Sequence, residues 1–452
     1  MTINPLMHEA SLKAQVMRGN KVVREYVGKK IIQTVLNDAK NTWTPARAKL
    51  ALHIPELAVG EYVVMKTTYA WMDPRWHWPF FLESPEPTGV SKISIDVPFG
   101  VAMRFKASNN GEAYDLVPSS QNIENLLWGR KSKESGVGSR YVFEHDFGLK
   151  ASAKNPRARM QLFFSFDLTM QQEKSSLFDN WTAVSSFLYD RIDRYDLPSN
   201  AIREFTQKEC ENRTTELSKV TRVLSYLKND IEKRAVIGSF LEQDVQTATR
   251  TFARRFGSPF DIVILGKAML TSIGIQADLL AVGSPEDNVQ LSDFFTPALF
   301  SKVILAITAD DQTFYVDPSF GPDRLDTLPI DLQGQNALII RKDKGQFFAL
   351  PFLGPEHNES SLNYQLVLNP QGKLEGSFSL DLFGMRAETL RANLLEMKRS
   401  LSALELQDLL NFGDTLRWQT AALRDEKESN TINISGYISP RLLRKEEMGH
   451  SL

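Results

Sequence analysis

Apolar and polar positions follow different spacings in different parts of the chain. From residue 12 to residue 166 they alternate between turns rich in Pro and Gly, which is typical of antiparallel strands. From residue 176 to residue 257 they recur every three or four positions, which predicts helices. Strand spacing returns from residue 276 to residue 343. This order predicts an α+β chain in which strands precede and follow a helical stretch.

The spacing also locates the individual elements. Strands are expected at 21–27, 61–69, 93–97, 101–105, 161–166, 337–340 and 432–435, and helices at 177–195, 198–205, 217–231 and 244–255. Residues 351–361 are rich in Pro, Gly, Asn and Ser, which predicts a linker. Residues 364–368 and 374–380 flank a turn sequence typical of a hairpin, and residues 387–410 are predicted to form a helix.

One helix has well-marked ends. Ser258 is a favourable N-cap, and Pro259 suits the first helical position, where a missing N–H loses no helical partner. Asp261 follows Ser258 by three positions, as in a capping box, and its charge favours the helix N-terminus. Gly274 is predicted to end this helix, and residues 277–282 are predicted to form a buried strand.

Composition limits the partners and the chemistry that can be expected. The 452 residues are 42% apolar and 24% charged, which is ordinary for a soluble globular chain of two or three domains. The formal net charge of −2 gives no electrostatic reason to expect nucleic acid as a partner. No apolar run approaches the ~20 residues of a membrane helix. Cys210, the single cysteine, lies between two predicted helices and is interpreted as an incidental thiol.

Two segments resemble bacterial transglutaminase-like domains. Arg255-Phe256-Gly257, Asp261 and Gly274-Ile275 stand where that family has an Arg-aromatic-Gly-Asp-Cys-Lys-Asp turn and a helix closed by Gly-Ile. Residues 300–305 and 315–319 stand where it has a Phe-Asn-His strand and a strand ending in Asp-Pro-Thr. The resemblance puts Pro259 at the position of the nucleophilic cysteine, Lys302 at that of the histidine, and Asp317 at that of the aspartate.

The resemblance therefore implies a catalytically degenerate member of the family. A cysteine at a helix N-terminus is activated because the helix dipole and a nearby imidazolium stabilise its thiolate, whereas Pro259 has no nucleophilic atom. An exposed Lys302 would stay protonated near neutral pH and would be a poor base. The prediction is a protein that is inactive as an enzyme and that binds a protein or peptide partner through Arg255, Ser258, Lys302 and Asp317.

An enzymatic alternative stays open at the same place. Ser258, Lys302 and Asp317 could form a serine–lysine set with residual amidase or acyltransferase activity. The hydroxyl of Ser258 is expected to be engaged as the N-cap, and a nucleophile needs hydrogen-bond reach to its base. This alternative predicts a covalent adduct of Ser258 with a fluorophosphonate.

A second alternative is carbohydrate binding. Trp71, Trp76 and Trp78 are predicted to lie in a Trp- and Phe-rich hairpin, and their rings could stack on a sugar. Aromatic residues also commonly fill the core of a β-sandwich. No pair among the six histidines has the spacing of metal ligands, so neither a metal nor another cofactor is predicted.

The resemblance extends to the architecture of the chain. It implies a papain-like transglutaminase core at 171–350, an N-terminal β-sandwich at 1–170, and a C-terminal β-sandwich with an interposed helix at 351–452. It begins near Glu9, so the first domain is expected to be either truncated at its start or natively short. The family is typically exported, which implies the periplasm or cell envelope. Because residues 1–30 contain no signal peptide, the cytoplasm is the alternative.

Overall fold

The structure is a computed structural model of the chain. It describes residues 2–3, 8–27, 32–36, 47–51, 53–54, 56–71, 80–82, 88–109, 112–124, 137–150, 160–168, 178–234, 245–283, 294–319, 325, 328–354, 357, 359–368, 370, 374–388, 390–391, 416–426 and 431–440. The chain divides into two compact units, one formed by Met1–Phe320 with Gly334–Leu350 and the other by Gly321–Gln333 with Pro351–Leu452. The predicted domain boundaries at residues 170 and 350 stay predictions.

The first part of the first unit consists of antiparallel strands, which confirms the prediction from alternation. The described strands are β1 (Thr2–Ile3), β2 (His8–Arg18), β3 (Lys21–Tyr26), β4 (Ile32–Leu36), β5 (Arg47–Ala51), β6 (Glu61–Trp71), β7 (Phe80–Phe81), β8 (Thr88–Val97), β9 (Val101–Asn109), β10 (Glu112–Tyr114), β11 (Ser119–Glu124), β12 (Val137–Lys150) and β13 (Gln161–Leu168). They form sheets of order β1-β5-β4, β3-β2-β6, β11-β12-β8 and β10-β9-β13-β7.

Burial in these sheets follows the period of two that strands impose. Leu12, Ala14 and Val16 alternate along β2 and are all buried. In a second cluster, the ring of Phe143 meets the rings of Phe105 and Phe164 edge to face, with centroids 4.9 and 5.7 Å away. Such contacts add to the stabilisation that burial itself provides.

The described strands on either side of the Trp- and Phe-rich segment pair with strands that are distant in sequence. β6 precedes this segment and pairs with β2, whereas β7 follows it and pairs with β13. β6 and β7 therefore belong to different sheets, and the predicted hairpin falls on the segment between them. Residues 72–79 themselves lie outside the described residues.

Helices capped by side chains follow the strands. They are α1 (Trp181–Ile192), α2 (Asn200–Cys210), α3 (Glu216–Asp230) and α4 (Ala248–Arg254), and the two short strands β14 (Glu232–Lys233) and β15 (Phe256–Gly257) pair in parallel. In each helix an Asn, Ser or Thr side chain at the N-cap accepts a backbone N–H of the first turn.

Two predicted positions in this region need correction. Cys210 is the last residue of α2 instead of lying between helices, and it is buried. Its burial raises the pKa of the thiol, as expected for an unreactive cysteine. Helix α4 begins at Ala248 instead of residue 244, because Thr247 is its N-cap. Within the described residues, no helix combines the length and the apolar character needed to cross a bilayer.

A fifth helix packs on a five-stranded antiparallel sheet. The elements are α5 (Pro259–Ser272), β16 (Gln276–Gly283), β17 (Phe300–Ala309), β18 (Gln312–Val316), β19 (Asn336–Ile340) and β20 (Phe347–Ala349), with sheet order β18-β17-β16-β19-β20. The predicted start of α5 at Pro259 is confirmed, and Gly274 follows its C-cap with φ of +81°. A Cβ placed on Gly266 would lie 2.9 Å from Leu227 and 3.1 Å from Leu305. This close approach lets α5 pack between α3 and β17.

The five-stranded sheet curls on itself. β18 and β20 are its edges, and neighbouring strands are ~4.8 Å apart, so the edges of a flat sheet would be ~19 Å apart. The rings of Tyr315 in β18 and Phe348 in β20 nevertheless have centroids only 5.8 Å apart. The sheet therefore bends towards a barrel, with these two rings closing the gap between its edges.

The second unit contains one described sheet, of order β21-β22-β24-β23. Its strands are β21 (Ser360–Leu368), β22 (Leu374–Phe383), β23 (Leu416–Glu426) and β24 (Thr431–Pro440). β21 and β22 form the predicted hairpin. Phe378, Leu380, Ile432 and Ile434 are buried in one cluster. Most of the predicted helix at 387–410 lies outside the described residues. Near its start, the described residues 385–388 and 390–391 are helical.

Candidate functional site

The first turn of α5 is closed by a reciprocal pair of hydrogen bonds. The backbone N–H of Asp261 donates to Oγ of Ser258 at 3.1 Å, and the N–H of Ser258 donates to Oδ2 of Asp261 at 2.8 Å. Pro259 occupies the first helical position. Ser258 is only 1% exposed, so its hydroxyl is both buried and engaged. The turn thus has the predicted capping box, and the only hydroxyl in it, that of Ser258, acts as a cap.

Asp261 also ties this turn to the segment before α4. Gln246 donates its backbone N–H to Oδ1 of Asp261 at 2.8 Å and its side-chain amide to Oδ2 at 3.2 Å. Burial raises the pKa of the Asp261 carboxyl above its usual value, although hydrogen bonds from Gln246 and Ser258 act in the opposite direction. A Cβ on Gly257 would lie 2.8 Å from the Cβ of Asp261, so the turn has no room for a larger residue there. The carboxylate is therefore a structural anchor.

Lys302 and Asp317 lie near the same end of the β17–β18 hairpin. Leu305 pairs with Val316, so Asp317 follows the last paired residue of β18, while Lys302 lies three residues earlier on β17, opposite Val282 of β16. Asp317 is 5% exposed. Its Oδ1 accepts hydrogen bonds from the backbone N–H of Ser319 at 2.9 Å and from the hydroxyl of Ser319 at 2.6 Å.

The same end of the hairpin lies level with the first turn of α5. β16 returns along α5 after the turn at Gly274, and β17 runs antiparallel to β16. Leu305 lies at the middle of α5, beside Gly266. Three strand residues separate Leu305 from Lys302, and seven helical residues separate Gly266 from Pro259, which is ~10 Å in both cases. The topology therefore brings Pro259 and Lys302, two positions of the predicted degenerate triad, to one end of this layer. Asp317 lies closer to the middle of α5, because the neighbouring Pro318 would be 4.0 Å from a Cβ on Gly266.

Arg255 lies beside the capping box, on a cluster of aromatic rings. Its guanidinium carbon is 5.2, 5.6 and 5.9 Å from the ring centroids of Tyr226, Phe252 and Phe205. Burial raises the pKa of Tyr226 to about 12, against the opposing charge of Arg255. Contacts of this kind with ring faces stabilise a cation.

Sequence reasoning missed several residues around this turn. Gln246, which holds Asp261, and Arg234, whose guanidinium carbon lies 3.5 Å from the ring centroid of Phe256, had not been predicted as site residues. Their partners are 15 and 22 residues away, so no local pattern marks them. The start of α4, next to Gln246, could have been predicted from Thr247, because Thr is a common N-cap residue.

Carbohydrate binding was assigned to three tryptophans, two of which lie outside the described residues. Trp76 and Trp78 lie outside them, and Trp71 is the last residue of β6, so carbohydrate binding by these residues stays a prediction. In the part of the chain that the structure describes, no group of three or more His, Cys, Asp or Glu residues is arranged to hold a metal ion.

Comparison with known proteins identifies a related fold. No protein-family model and no curated protein matches the chain. It is similar to the crystal structure of a "putative protease" from Parabacteroides distasonis, with a TM-score of 0.55 and 12% identity over 98% of this chain and 85% of that one. A "putative cysteine protease" from Cytophaga hutchinsonii has a TM-score of 0.24 and 14% identity over 57% of this chain and 84% of that one. The first likeness shows a shared mixed α/β, strand-rich fold. The TM-score of the second is too low to support a conclusion about the fold.

Proposed function

We propose that this chain is a non-catalytic transglutaminase-like protein that binds a protein or peptide partner. Its core would be papain-like, with a β-sandwich on either side, and its binding groove would be the former active site near Pro259, Lys302 and Asp317. The family resemblance and the fold shared with a "putative protease" support this architecture. The same resemblance favours the cell envelope over the cytoplasm.

The observation that carries the proposal is the chemistry of the first turn of α5. A transglutaminase-like enzyme needs a thiolate here, and the position is occupied by the ring of Pro259. The adjacent hydroxyl, that of Ser258, is 1% exposed and accepts the N–H of Asp261. An attacking group must be accessible and must have hydrogen-bond reach to a base, so this hydroxyl is poorly placed for attack.

Retention of the surrounding turn supports a binding role. The capping box, the bonds from Gln246 to Asp261 and the buried Asp317 are all present around a position that lacks a nucleophile. A binding module derived from an enzyme would keep the fold around the site and could lose the catalytic groups. Lys302 would supply a positive charge at this end of the groove.

Cross-linked partner capture from cells that contain the native protein tests the proposal. We compare the wild-type chain with Lys302→Glu, and we use Lys342→Glu, an exposed lysine elsewhere in the first unit, as the matched control. We expect a specific partner that is lost with Lys302→Glu and retained with Lys342→Glu. A partner retained by both variants would contradict binding in the groove, and the absence of a specific partner would contradict the binding role.

A further inference from the structure

Arg255 presents an unused set of hydrogen-bond donors at the surface. Its side chain is exposed, and its guanidinium lies over the rings of Tyr226, Phe252 and Phe205. Within the described residues this side chain makes no hydrogen bond or ion pair. A guanidinium that contacts ring faces still has its N–H edges available for a ligand. The aromatic rings therefore contact the cation, and its donors have no hydrogen-bond partner among the described residues.

The backbone also fixes the position of Arg255. It is the C-cap of α4 with φ of +60°, and its N–H donates to the carbonyl of Thr251 at 3.0 Å. Its carbonyl accepts the N–H of Glu232 at 2.8 Å, which ties it to β14. A side chain that starts from a fixed backbone loses less conformational freedom when it binds a ligand.

Two further guanidinium groups lie on segments 230–234 and 254–257, which contain the paired strands β14 and β15. The guanidinium carbons of Arg234 and Arg254 lie 3.5 and 5.7 Å from the ring centroid of Phe256. The N–H of Arg234 donates to the carbonyl of Gly257 at 2.9 Å, and its side chain also contacts Glu232. Because β14 pairs with β15, Arg234, Arg254 and Arg255 are carried by neighbouring backbone segments and are named here the guanidinium cluster, although Arg255 contacts a different set of rings. Segments 230–234 and 254–257 together carry four cations and two carboxylates, so the local charge is positive although the chain as a whole is at −2.

We propose that the guanidinium cluster binds an acidic segment of the protein partner, one rich in Asp or Glu. The inference rests on the proposed function and specifies the chemistry of the partner beside the groove. The planar fork of donors on Arg matches a carboxylate with two parallel hydrogen bonds. The ring of Phe256 is already in contact with guanidinium groups, which leaves it poorly placed to stack on bases. The net charge of the chain also provides no long-range attraction for a nucleic acid.

Fluorescence anisotropy with the full chain tests this assignment. The probe is fluorescein-labelled hexaglutamate, and hexaglutamine is its uncharged counterpart. We expect hexaglutamate to bind at least about tenfold more tightly than hexaglutamine, and its affinity to fall as salt is added, because exposed charge pairs are screened. Arg255→Gln is expected to weaken binding about tenfold, the loss of roughly one charge-assisted contact. Arg255→Lys should lose most of the same affinity, because an ammonium lacks the planar fork.

Matched controls separate this site from charge in general. Lys342→Gln removes one exposed cation elsewhere in the first unit and should leave the affinity for hexaglutamate within about twofold, as exposed charges usually contribute little. Thermal unfolding of Arg255→Gln checks that the fold is intact. No binding of hexaglutamate, equal affinity for hexaglutamine, or unchanged affinity in Arg255→Gln would overturn the proposal. So would a labelled oligothymidylate that binds through Arg255 more tightly than hexaglutamate.

The outcome can be separated from that of the proposed function. Partner capture that depends on Lys302, together with hexaglutamate binding that ignores Arg255, would overturn the acidic-segment assignment and leave groove binding in place. Hexaglutamate binding that depends on Arg255, together with capture that ignores Lys302, would support this site and contradict binding in the groove.

Discussion

Asp261 lies in the first turn of helix α5, Asp278 lies in β16 after the end of that helix, and the two stabilise the core in different ways. Asp261 is fully buried and is satisfied by neutral donors from Gln246 and Ser258. Asp278 is partly exposed and accepts hydrogen bonds from Nε and Nη2 of Arg341, at 3.1 and 2.5 Å. Burial acts to raise the pKa of both carboxyls, but hydrogen bonds from Arg341 and its charge hold the pKa of Asp278 below its usual value.

The difference shows what the polar groups at the first turn of α5 do. Asp261 has its oxygens occupied by groups of the chain itself, so it anchors the start of a helix. A carboxylate that serves catalysis would instead need to face a histidine or a substrate. The ion pair of Asp278 can be hydrated and is expected to be worth far less to stability. The two sites therefore allow the structural role of Asp261 to be measured against an internal reference.

The largest effect is expected from Asp261→Ala. It leaves the buried N–H groups of Gln246 and Ser258 without acceptors, at about 1–3 kcal/mol each, so the free energy of unfolding should fall by about 3–4 kcal/mol. Asp278→Ala should cost about 1 kcal/mol, because the guanidinium of Arg341 can turn to water. Urea unfolding followed by circular dichroism measures both, since α1 to α5 belong to the first unit. Equal losses in the two variants would contradict the comparison.

A glycine pair tests how tightly the turn is packed. Gly257→Ala puts a Cβ at 2.8 Å from the Cβ of Asp261, an atom that cannot move without the helix backbone. The substitution should cost about 2 kcal/mol of stability. Gly266→Ala, in the middle of α5, meets only the terminal methyls of Leu227 and Leu305, and its gain of about 1 kcal/mol in helix propensity should offset their displacement. The same urea titration compares the two. A Gly257→Ala variant as stable as Gly266→Ala would show that the turn can yield.

The cap itself is expected to contribute less. Ser258→Ala removes the acceptor of the Asp261 N–H and should lower stability by about 1 kcal/mol. Ser258→Asn keeps an N-cap acceptor without a hydroxyl and should lose less than Ser258→Ala. Circular dichroism melts of the three proteins give the order. A loss with Asn as large as with Ala would argue that the hydroxyl has a role beyond capping.

The smallest effect is the pH dependence, which should have opposite signs at the two sites. Asp278 has a lowered pKa in the folded state, so its contribution is present above the ordinary value of 3.8 and is lost as the pH falls below it. Asp261 has a raised pKa, so the folded state keeps its proton longer and stability declines as the pH rises above 3.8. Urea unfolding between pH 3 and pH 7 should show less acid loss in Asp278→Asn and less decline above pH 4 in Asp261→Asn. Slopes of the same sign would contradict the assigned environments.

The same contrast explains how far the sequence could predict the molecule. The start of α5 depends on Ser258, Pro259 and Asp261, which are within three residues of one another, so a local pattern was enough. The hydrogen bonds from Gln246 to Asp261 join residues 15 positions apart, and no local pattern reveals them. β6 and β7 likewise pair with strands distant in sequence, and the spacing of residues around the Trp-rich segment does not reveal these partners.

The candidate site shows the same division. The positions of Lys302 and Asp317 followed from the resemblance, and the structure has Lys302 in β17 and Asp317 directly after β18. The contacts of Arg255 with three rings depend on how α2, α3 and α4 pack together, which spacing along the chain does not determine. The contact between Tyr315 and Phe348 likewise depends on the curvature of the whole sheet.

The most direct test of the central claim is fluorophosphonate labelling of the native full-length chain, read by intact mass spectrometry. The claim is that the first turn of α5 is a structural cap without a nucleophile. It predicts an unchanged mass for the wild-type chain and for Ser258→Asn. A single adduct on the wild type that maps to Ser258 and is absent from Ser258→Asn would contradict the claim and identify the chain as an enzyme.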